Sequence, residues 1–418
     1  MSFHRSAGRL WVEGVALSEI ADRFGTPCYV YSRARLTENW RAYDDAFGAR
    51  AHRIHYSVKA NGSLALLNIL HSLGSGFDIV SGGELARALA AGANGSDIIF
   101  SGVGKSRQEL IDAVTVGVAC INVESEAELD RLTEIAAALG RRAPIALRVN
   151  PDVDPQTHPY ISTGLQGNKF GVSMVEALRL YRKALAVPSL EVRGIACHIG
   201  SQMTSLAPIS DTVGLIVDLA KALEREGCQL SHLDLGGGLG IRYRDEQPPA
   251  ITDYVRVLCD VPERFEIHVE PGRSIIGDAG VLLTSIEYLK AMPTKHFAIC
   301  DAAMTELLRP ALYNAWHALE LLEPPTADVS SRRYDLVGPV CESADFLAQD
   351  RELCLSPGAR LAVMNAGAYG FVMASSYNAR PRPAEILVDG HSVTEIRPRE
   401  TIGDLMASER LATARELP

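Results

Sequence analysis

The sequence predicts an α/β barrel of the (β/α)₈ (TIM) type joined to a second, all-β domain, a β-sandwich or β-barrel. Between residues 53 and 270 there are eight short β-branched segments, five of which end in a polar residue or glycine, and stretches of helical periodicity lie between them. Strands that alternate with helices form parallel βαβ units, and eight such strands close a barrel. After residue 277, strand-like segments follow one another without long helices, which is typical of an all-β domain.

The eight barrel strands are predicted, in order, at RIHYSVK (53–59), FDIV (77–80), IIFS (98–101), ACINV (119–123), IALRVN (145–150), RGIACHI (193–199), HLDLG (232–236) and FEIHVE (265–270). Amphipathic segments lie between them, and one of these, SEAELDRLTEIAAAL, opens with Ser125 and Glu128 at capping-box spacing. A doubly wound open sheet is the alternative. It should have fewer strands and a glycine fingerprint after the first strand, where this chain has none.

In the second domain the predicted strands are VLLTSIEYL, HFAICD, RRYDLVG, ARLAVMN, AEILVDG and HSVTEIR. A helix is expected around Pro310–Leu322, and Asp389-Gly390 indicates a hairpin turn. The N-terminal segments GRLWVEGV and PCYVYS also read as strands and can join this domain. We therefore expect the barrel at residues 33–277 and a β-domain made of residues 1–32 and 278–418.

Composition excludes several classes of protein. The 418 residues carry a net charge of −10, and the basic residues are not clustered, which argues against a nucleic-acid partner. No apolar run approaches the roughly 18 residues of a membrane span, and the N-terminus lacks the apolar core of a secretory signal. The eight cysteines are scattered without a CxxC pair, so neither a metal site nor a disulfide framework is predicted. A cytoplasmic location fits best.

Polar side chains converge at the predicted strand ends. In such barrels the chemistry lies at the C-terminal ends of the strands. The residues found there are Lys59, Asp78, Asn150, His198, the Gly236–Gly238 run and Glu270, with Arg273 just beyond. A strand-end lysine seen alone is more often a solvated cap. This combination of amine, imidazole, carboxylate and glycine loop instead favours a functional lysine.

The glycine loop DLGGGLG follows the seventh strand, where these barrels often bind phosphate. Without Cβ atoms, successive backbone N–H groups can approach phosphate oxygens. A P-loop in SGVGKS (101–106) is excluded, because Ile99 stands where the first glycine is required. A phosphate loop, a lysine and a carboxylate together predict pyridoxal 5'-phosphate. The lysine would form a Schiff base, and the carboxylate would keep the ring nitrogen protonated. His198 fits a structural barrel histidine equally well, or a ring stacked on the cofactor.

The chain resembles the diaminopimelate decarboxylase family, whose members are fold-type III pyridoxal-phosphate enzymes and catalyse the last step of bacterial lysine biosynthesis. The similarity extends over nearly the whole chain. It is carried by the blocks YSVKAN (56–61), RVNPDVDPQTHPYISTG (148–164), CHIGSQ (197–202), LDLGGGLG (233–240), EPGRSI (270–275), RPALY (309–313), GPVCESADFL (338–347) and GAYGF (367–371). Their order and completeness make the resemblance specific. It implies a (β/α)₈ barrel with a β-domain, as the periodicity does.

The resemblance also implies roles for individual residues. Lys59 corresponds to the Schiff-base lysine, His198 to the stacking imidazole and Cys341 to the catalytic cysteine. With Asp78 added from its strand position, the cofactor contacts are Lys59, Asp78, His198, Ser201, Gly236, Gly237, Gly238, Glu270, Pro271, Gly272, Arg273 and Tyr369. The substrate contacts are Arg273, Arg309, Tyr313, Glu342 and Tyr369. Since Cys341 and Glu342 come from the second subunit in this family, a homodimer with shared active sites is expected.

The implied reaction is decarboxylation of meso-2,6-diaminopimelate to L-lysine and carbon dioxide. Its unreacting end is an amino acid, whose carboxylate Arg309 can bind bidentately and whose ammonium Glu342 can pair. A decarboxylase of a related amino acid, such as ornithine, arginine or carboxynorspermidine, is an alternative. A racemase of this fold would place an arginine, not Glu270, near the pyridine nitrogen. A non-catalytic carrier of the cofactor would resemble the barrel alone.

Overall fold

The computed structural model describes residues 2–154, 168–325 and 329–412. The chain forms two compact units, one of Arg35–Asp278 and one of Met1–Ala34 with Ala279–Pro418. The first is a closed parallel barrel whose strands alternate with helices, and the second is mostly sheet. The predicted fold class is confirmed.

The barrel sheet contains eight parallel strands in the described part of the chain. They are His52–Ser57, Gly76–Ile79, Ile98–Phe100, Cys120–Val123, Ala143–Asn150, Leu190–Ala196, His232–Asp234 and Glu266–Val269. Each strand pairs with the next, and Ile267 of the eighth strand pairs with His52 of the first, which closes the sheet. A two-residue strand, Val172–Ser173, runs beside the end of the fifth. The open-sheet alternative is therefore excluded.

Serine caps define where several barrel helices begin. The helices are Arg33–Phe47, Leu64–Ser72, Gly82–Ala90, Arg107–Val116, Glu126–Ala138, Met174–Leu185, Ala207–Arg225, Ile251–Leu258 and Arg273–Ile276. The Ser125 hydroxyl accepts the Glu128 N–H at 3.2 Å. Only this half of the predicted capping box is seen. The Glu128 carboxylate accepts from the Glu124 N–H and from the Lys105 amine, not from the Ser125 N–H. None of the helices in the described ranges is long and apolar enough to cross a lipid bilayer.

Six of the eight predicted barrel strands extend one to three residues too far at their C-terminal ends. The first strand stops at Ser57, and Lys59 lies in the 3₁₀ turn Val58–Ala60 that follows it. His198 and Glu270 likewise lie just beyond the last residues of their strands. Backbone groups at these positions leave the ladder, and the Ser57 N–H donates to the Pro271 carbonyl at 3.1 Å. The polar side chains are consequently carried by the turns above the sheet.

The second unit is built around one long strand. Its strands are Phe3–Ser6, Arg9–Val12, Val15–Ala16, Cys28–Ser32, Gly280–Ala291, His296–Cys300, Leu319–Leu321, Arg332–Val337, Phe346–Leu353, Arg360–Val363, Ala384–Asp389 and Ser392–Arg397. The first half of Gly280–Ala291 pairs with Cys28–Ser32 on one side and Arg360–Val363 on the other. Its second half pairs with His296–Cys300. Two sheets therefore share this strand.

Some details of the β unit differ from the prediction. The region predicted as one helix contains the short helix Arg309–Tyr313 and then the strand Leu319–Leu321, and Phe346–Leu353 is a strand that the sequence patterns did not predict. Short helices also occur at Leu17–Phe24 and Ile402–Met406. The predicted hairpin is present. Asp389 pairs with Ser392, and the turn uses Gly390 at φ 61°, a left-handed conformation suited to glycine.

Candidate active site

The Lys59 amine lies beside a buried carboxylate. Its Nζ donates to Asp78 Oδ2 at 2.7 Å, and the lysine side chain is 33% exposed whereas that of Asp78 is 0% exposed. The Ser57 hydroxyl lies 3.0 Å from the same carboxylate oxygen. Asp78 Oδ1 is buried and has no hydrogen-bond partner among the described residues. The carboxylate thus fixes the amine and retains capacity for one more donor.

Two further carboxyl groups, those of Glu270 and Asp234, meet inside the barrel. Burial, followed by the negative charges of Asp234 and Asp78, raises the pKa of Glu270 well above its usual value. Burial raises the pKa of Asp234 to about 6. Asn122 donates to Asp234 Oδ2 at 3.3 Å, and Ser101 donates to Glu270 Oε1 at 3.3 Å. Glu270 therefore holds its proton more tightly than an ordinary glutamate does.

The glycine loop packs against the ends of two neighbouring strands. A Cβ atom added to Gly236, Gly237 or Gly238 would lie 2.5, 2.1 or 2.1 Å from a backbone carbonyl oxygen of another segment. Such distances leave no space for a side chain. The Gly236 N–H donates to Asp234 Oδ1, and the Gly237 N–H donates to His198 Nδ1. Two of the three N–H groups expected to face a phosphate thus have protein acceptors here.

The His198 imidazole is held neutral beside Lys59. Its Nδ1 accepts the Gly237 N–H at 3.2 Å, so the proton of the neutral ring lies on Nε2. Burial, and then the positive charges of Lys59 and Arg148, lower the pKa of His198 well below its usual value. The residue is only half-buried by surface area, because one part of it faces the barrel cavity. A neutral, flat ring held in this way is suited to stacking on an aromatic ligand.

The EPGR segment lies against the Lys59 turn. A Cβ atom on Gly272 would lie 2.9 Å from that of Ala60, so this approach requires glycine. Arg273 is buried and donates from Nη1 to the Tyr243 hydroxyl at 2.8 Å and from Nη2 to the Ser201 hydroxyl at 3.2 Å. Ser201 and Arg273 are thereby brought into contact.

A cavity of about 360 Å³ opens among these groups. Lys59, His198 and Glu270 line it. Ser101, Asn122 and Arg148 line it as well, and these three were not among the predicted strand-end residues. Each of these three lies in a barrel strand near its C-terminal end or directly after it, so position within the strand was the available signal. Asn150 was among the predicted strand-end residues. Its side-chain oxygen accepts the Asp152 N–H at 3.0 Å within its own loop.

Two other polar residues near the cavity have structural explanations. The Lys105 amine is buried and donates to the carbonyls of Gly102 and Asn122 and to the Glu128 carboxylate. It fixes the loop 101–106 rather than serving as a P-loop lysine, as the missing glycine predicts. Cys197 lines the cavity, but burial raises the pKa of its thiol to about 12, so it stays protonated.

The remaining predicted residues lie in the β unit. Arg309 begins the helix Arg309–Tyr313 and is buried, and its Nη1 donates to His317 Nε2 at 2.9 Å. Cys341 and Glu342 lie in an exposed turn, where the Cys341 N–H donates to Asn378 Oδ1 at 3.1 Å. Tyr369 has a left-handed backbone with φ 54°, which a tyrosine rarely adopts and which is often found at functional sites.

The predicted residues thus form two sets. Of those in the barrel unit, Lys59, His198 and Glu270 line one cavity, whereas those of the β unit lie on separate segments of that unit. Residues 155–164 of the block RVNPDVDPQTHPYISTG lie outside the described residues. In the ranges described, no group of three or more histidine, cysteine or acidic side chains is arranged to hold a metal ion.

Comparison with known proteins identifies the family. Residues 33–277 match the model of the pyridoxal-binding domain of pyridoxal-dependent decarboxylases. The chain is 54% identical over 412 residues to diaminopimelate decarboxylase from Pseudomonas aeruginosa, an alignment that covers 98% of this chain and 99% of the relative. It is 52% identical over 409 residues to that from Vibrio cholerae, covering 97% of this chain and 98% of the relative.

Solved structures agree with these relatives. Diaminopimelate decarboxylase from Helicobacter pylori, complexed with L-lysine, aligns with a TM-score of 0.91 at 40% identity, covering 94% of this chain and 99% of that one. The M. jannaschii enzyme, also in complex with L-lysine, aligns with a TM-score of 0.93 at 36% identity and 98% coverage of both chains. The resemblance seen in the sequence blocks is confirmed, and the chain belongs to the diaminopimelate decarboxylase family of pyridoxal-dependent decarboxylases.

Proposed function

We propose that this protein decarboxylates meso-diaminopimelate to L-lysine and carbon dioxide, with pyridoxal 5'-phosphate as its cofactor. The observation that carries the proposal is that the Lys59 amine, held by Asp78, and the buried carboxyl group of Glu270 line one barrel cavity. The names of relatives that are 52–54% identical over nearly the full chain support the choice of substrate.

The residues of the cavity fit the cofactor. Lys59 supplies the amine that can hold it covalently, and Asp78 Oδ1, which has no hydrogen-bond partner among the described residues, can accept from a further donor. When bound, pyridoxal phosphate supplies an electron sink for the electron pair that a departing carboxylate leaves behind. Ser201, Arg273 and Gly238 are the barrel groups proposed to hold its phosphate end, with Tyr369 reaching the same group. Pro271 and Gly272 complete the proposed contacts.

Glu270 and His198 have complementary roles in this proposal. Glu270 would pair with the ring nitrogen of the bound cofactor and would keep that nitrogen protonated. His198 covers one face of the ring as a neutral imidazole and excludes water there. Arg273, Arg309, Tyr313, Glu342 and Tyr369 are proposed to bind the substrate. A thiol such as that of Cys341 can deliver a proton to the carbon that has lost its carboxylate.

The proposed activity is tested by measuring carbon dioxide release from meso-diaminopimelate, ornithine, arginine and lysine in parallel. We expect diaminopimelate to be preferred by at least about a hundredfold, because a site built to bind two charges rejects substrates that lack one. Comparable release from ornithine or lysine would instead identify a decarboxylase of a related amino acid. Exchange of the α-proton without carbon dioxide release would identify a racemase.

Replacing Glu270 with glutamine should lower kcat by at least about two orders of magnitude while the cofactor remains bound. The amide is similar in shape but cannot become the carboxylate that holds the ring nitrogen protonated. Steady-state kinetics and the visible absorbance of the bound cofactor measure the two effects separately. Asp234→Asn, which removes the neighbouring carboxylate, serves as the comparison and should cost less. Near-normal turnover in Glu270→Gln would mean that the ring nitrogen has another partner.

We further propose that the protein acts as a homodimer with shared active sites, in which Cys341 and Glu342 serve the site of the partner subunit. The exposure of both residues in the single chain supports this proposal, since residues that face a partner are exposed without it. The buried Arg309, by contrast, is held within its own chain by His317.

A mixture of Lys59→Ala and Cys341→Ala chains should regain activity that neither variant has alone. In a heterodimer, one of the two sites receives Lys59 and Cys341 intact from opposite chains. Up to about half of the wild-type activity per heterodimer is expected if the two sites act independently. Native mass spectrometry establishes that heterodimers have formed, and each variant mixed with itself is the control. Inactive heterodimers would place both residues in the same chain's site.

A further inference from the structure

The buried histidine His317 contacts the guanidinium of Arg309. Arg309 Nη1 donates to His317 Nε2 at 2.9 Å, and His317 Nδ1 lies 2.8 Å from the carbonyl oxygen of Met364. His317 is 0% exposed, and Arg309 is also buried. An imidazole acceptor orients the guanidinium but leaves its positive charge in place. A carboxylate in the same position would neutralise that charge.

The two partners fix the protonation state of the imidazole. A carbonyl oxygen can only accept, so Nδ1 must carry the hydrogen. A guanidinium can only donate, so Nε2 must be bare. His317 is consequently neutral, with one tautomer imposed from both sides. The imidazole thus donates to the Met364 carbonyl through Nδ1 and accepts from the Arg309 guanidinium through Nε2.

The backbone around His317 is itself fixed. The helix Arg309–Tyr313 ends at Asn314, whose left-handed φ of 50° turns the chain back toward Arg309. The Met364 N–H donates to the Ala318 carbonyl at 2.9 Å, next to the side-chain bond from His317. Arg351 donates to the His317 carbonyl at 3.1 Å and lies 4.1 Å from the Trp316 ring centre. The ring is therefore carried by a rigid segment.

We propose that His317 is a positioning residue that holds the Arg309 guanidinium ready for the carboxylate at the unreacting end of the substrate. This inference rests on the proposed role of Arg309 in substrate binding. A free arginine side chain has considerable rotamer freedom, and ordering it at the moment of binding weakens affinity. A neutral acceptor removes that cost in advance and does not itself neutralise the guanidinium. His317 thereby selects ligands that carry a carboxylate at this end.

Two substitutions separate the two hydrogen bonds of the ring. His317→Asn keeps a donor for the Met364 carbonyl but has no acceptor at the position of Nε2. His317→Gln places a carbonyl oxygen near the position of Nε2 but loses the link to Met364. KM and kcat for meso-diaminopimelate are measured for both, with thermal unfolding as the measure of fold stability.

We expect His317→Asn to raise KM by about tenfold or more, the range for a lost hydrogen bond to a charged group. Its kcat should change by less than about threefold, because the reacting end of the substrate is not affected. His317→Gln should recover most of the KM at a similar unfolding temperature. A purely structural role would instead lower stability in both variants without this ordering of KM. An unchanged KM in a folded His317→Asn protein would overturn the proposal.

Binding without turnover provides an independent measurement. L-lysine retains a carboxylate at one end, whereas 1,5-diaminopentane carries none, and both can be titrated against the cofactor absorbance. His317→Asn should weaken L-lysine binding by about tenfold or more and diaminopentane binding by less than about twofold. Equal weakening of both ligands would overturn the role in carboxylate selection.

The same titration separates this inference from the proposed function. If the wild-type protein released no carbon dioxide from diaminopimelate, the proposed activity would fail, yet selective loss of L-lysine binding in His317→Asn would still support the positioning role. If Arg309→Ala left L-lysine binding unchanged, the carboxylate site would be wrongly assigned. The role of His317 would then be overturned with it.

Discussion

Lys59→Ala is expected to lower decarboxylase activity by at least about four orders of magnitude and to abolish covalent attachment of the cofactor. The Lys59 amine lines the cavity 2.7 Å from Asp78, whereas the nearby Lys105 amine is buried with three acceptors. Borohydride reduction of the wild-type protein should leave a pyridoxyl group on Lys59, which peptide mass spectrometry can locate.

Lys169→Ala is the matched control for this experiment, because Lys169 is another lysine near the cavity and its amine lies 5.4 Å from the ring centre of Phe170, a residue that lines the cavity. This variant should retain both the pyridoxyl label and substantial activity. A label on another lysine of the wild-type protein would disprove the assignment of Lys59.

Arg309→Ala should reduce kcat/KM for diaminopimelate by about two to three orders of magnitude without creating comparable activity on lysine. A substrate carboxylate taken out of water and left unpaired costs far more than the loss of a surface ion pair. Arg309→Lys keeps the charge but loses the planar fork, so it should recover only part of the loss. Kinetics with both substrates measure these effects.

Arg332→Ala, at an exposed arginine of the same unit, is the control and should behave like the wild type. If Arg309→Ala retained activity on diaminopimelate near the wild-type level, the unreacting carboxylate would have to bind elsewhere.

The fold was predictable because its signals are local. Alternation of β-branched segments with amphipathic helices depends on neighbouring residues, and all eight predicted barrel strands are present. Their ends were less predictable, because a strand ends where its neighbour stops offering hydrogen bonds. Lys59 and His198 therefore lie beyond the ladder. Phe346–Leu353 was missed because its polar second half, QDREL, is largely solvent-facing and lacks β-branched residues.

The candidate site was predictable in residue type and only partly in chemistry. The residues at the strand ends predicted that the amine of Lys59 and the carboxylates of Asp78 and Glu270 lie at the same end of the barrel. The raised pKa of Glu270 comes from its burial and from the nearby carboxylates of Asp234 and Asp78, which other strands supply, so no local pattern indicates it. The acceptors of the Gly236 and Gly237 N–H groups are likewise tertiary contacts. His317 had no signal, because its importance lies in what it touches.

The sheet position of Cys28–Ser32 also constrains the order in which this protein can be completed during synthesis. This strand lies between Gly280–Ala291 and Ala384–Asp389, so its partners come from the opposite end of the chain. A ribosome adds about 5–20 residues per second. The early strand therefore remains without its partners for tens of seconds while the whole barrel sequence emerges. Its largely apolar residues and open edges make the nascent chain a natural client for chaperones until the last strands arrive.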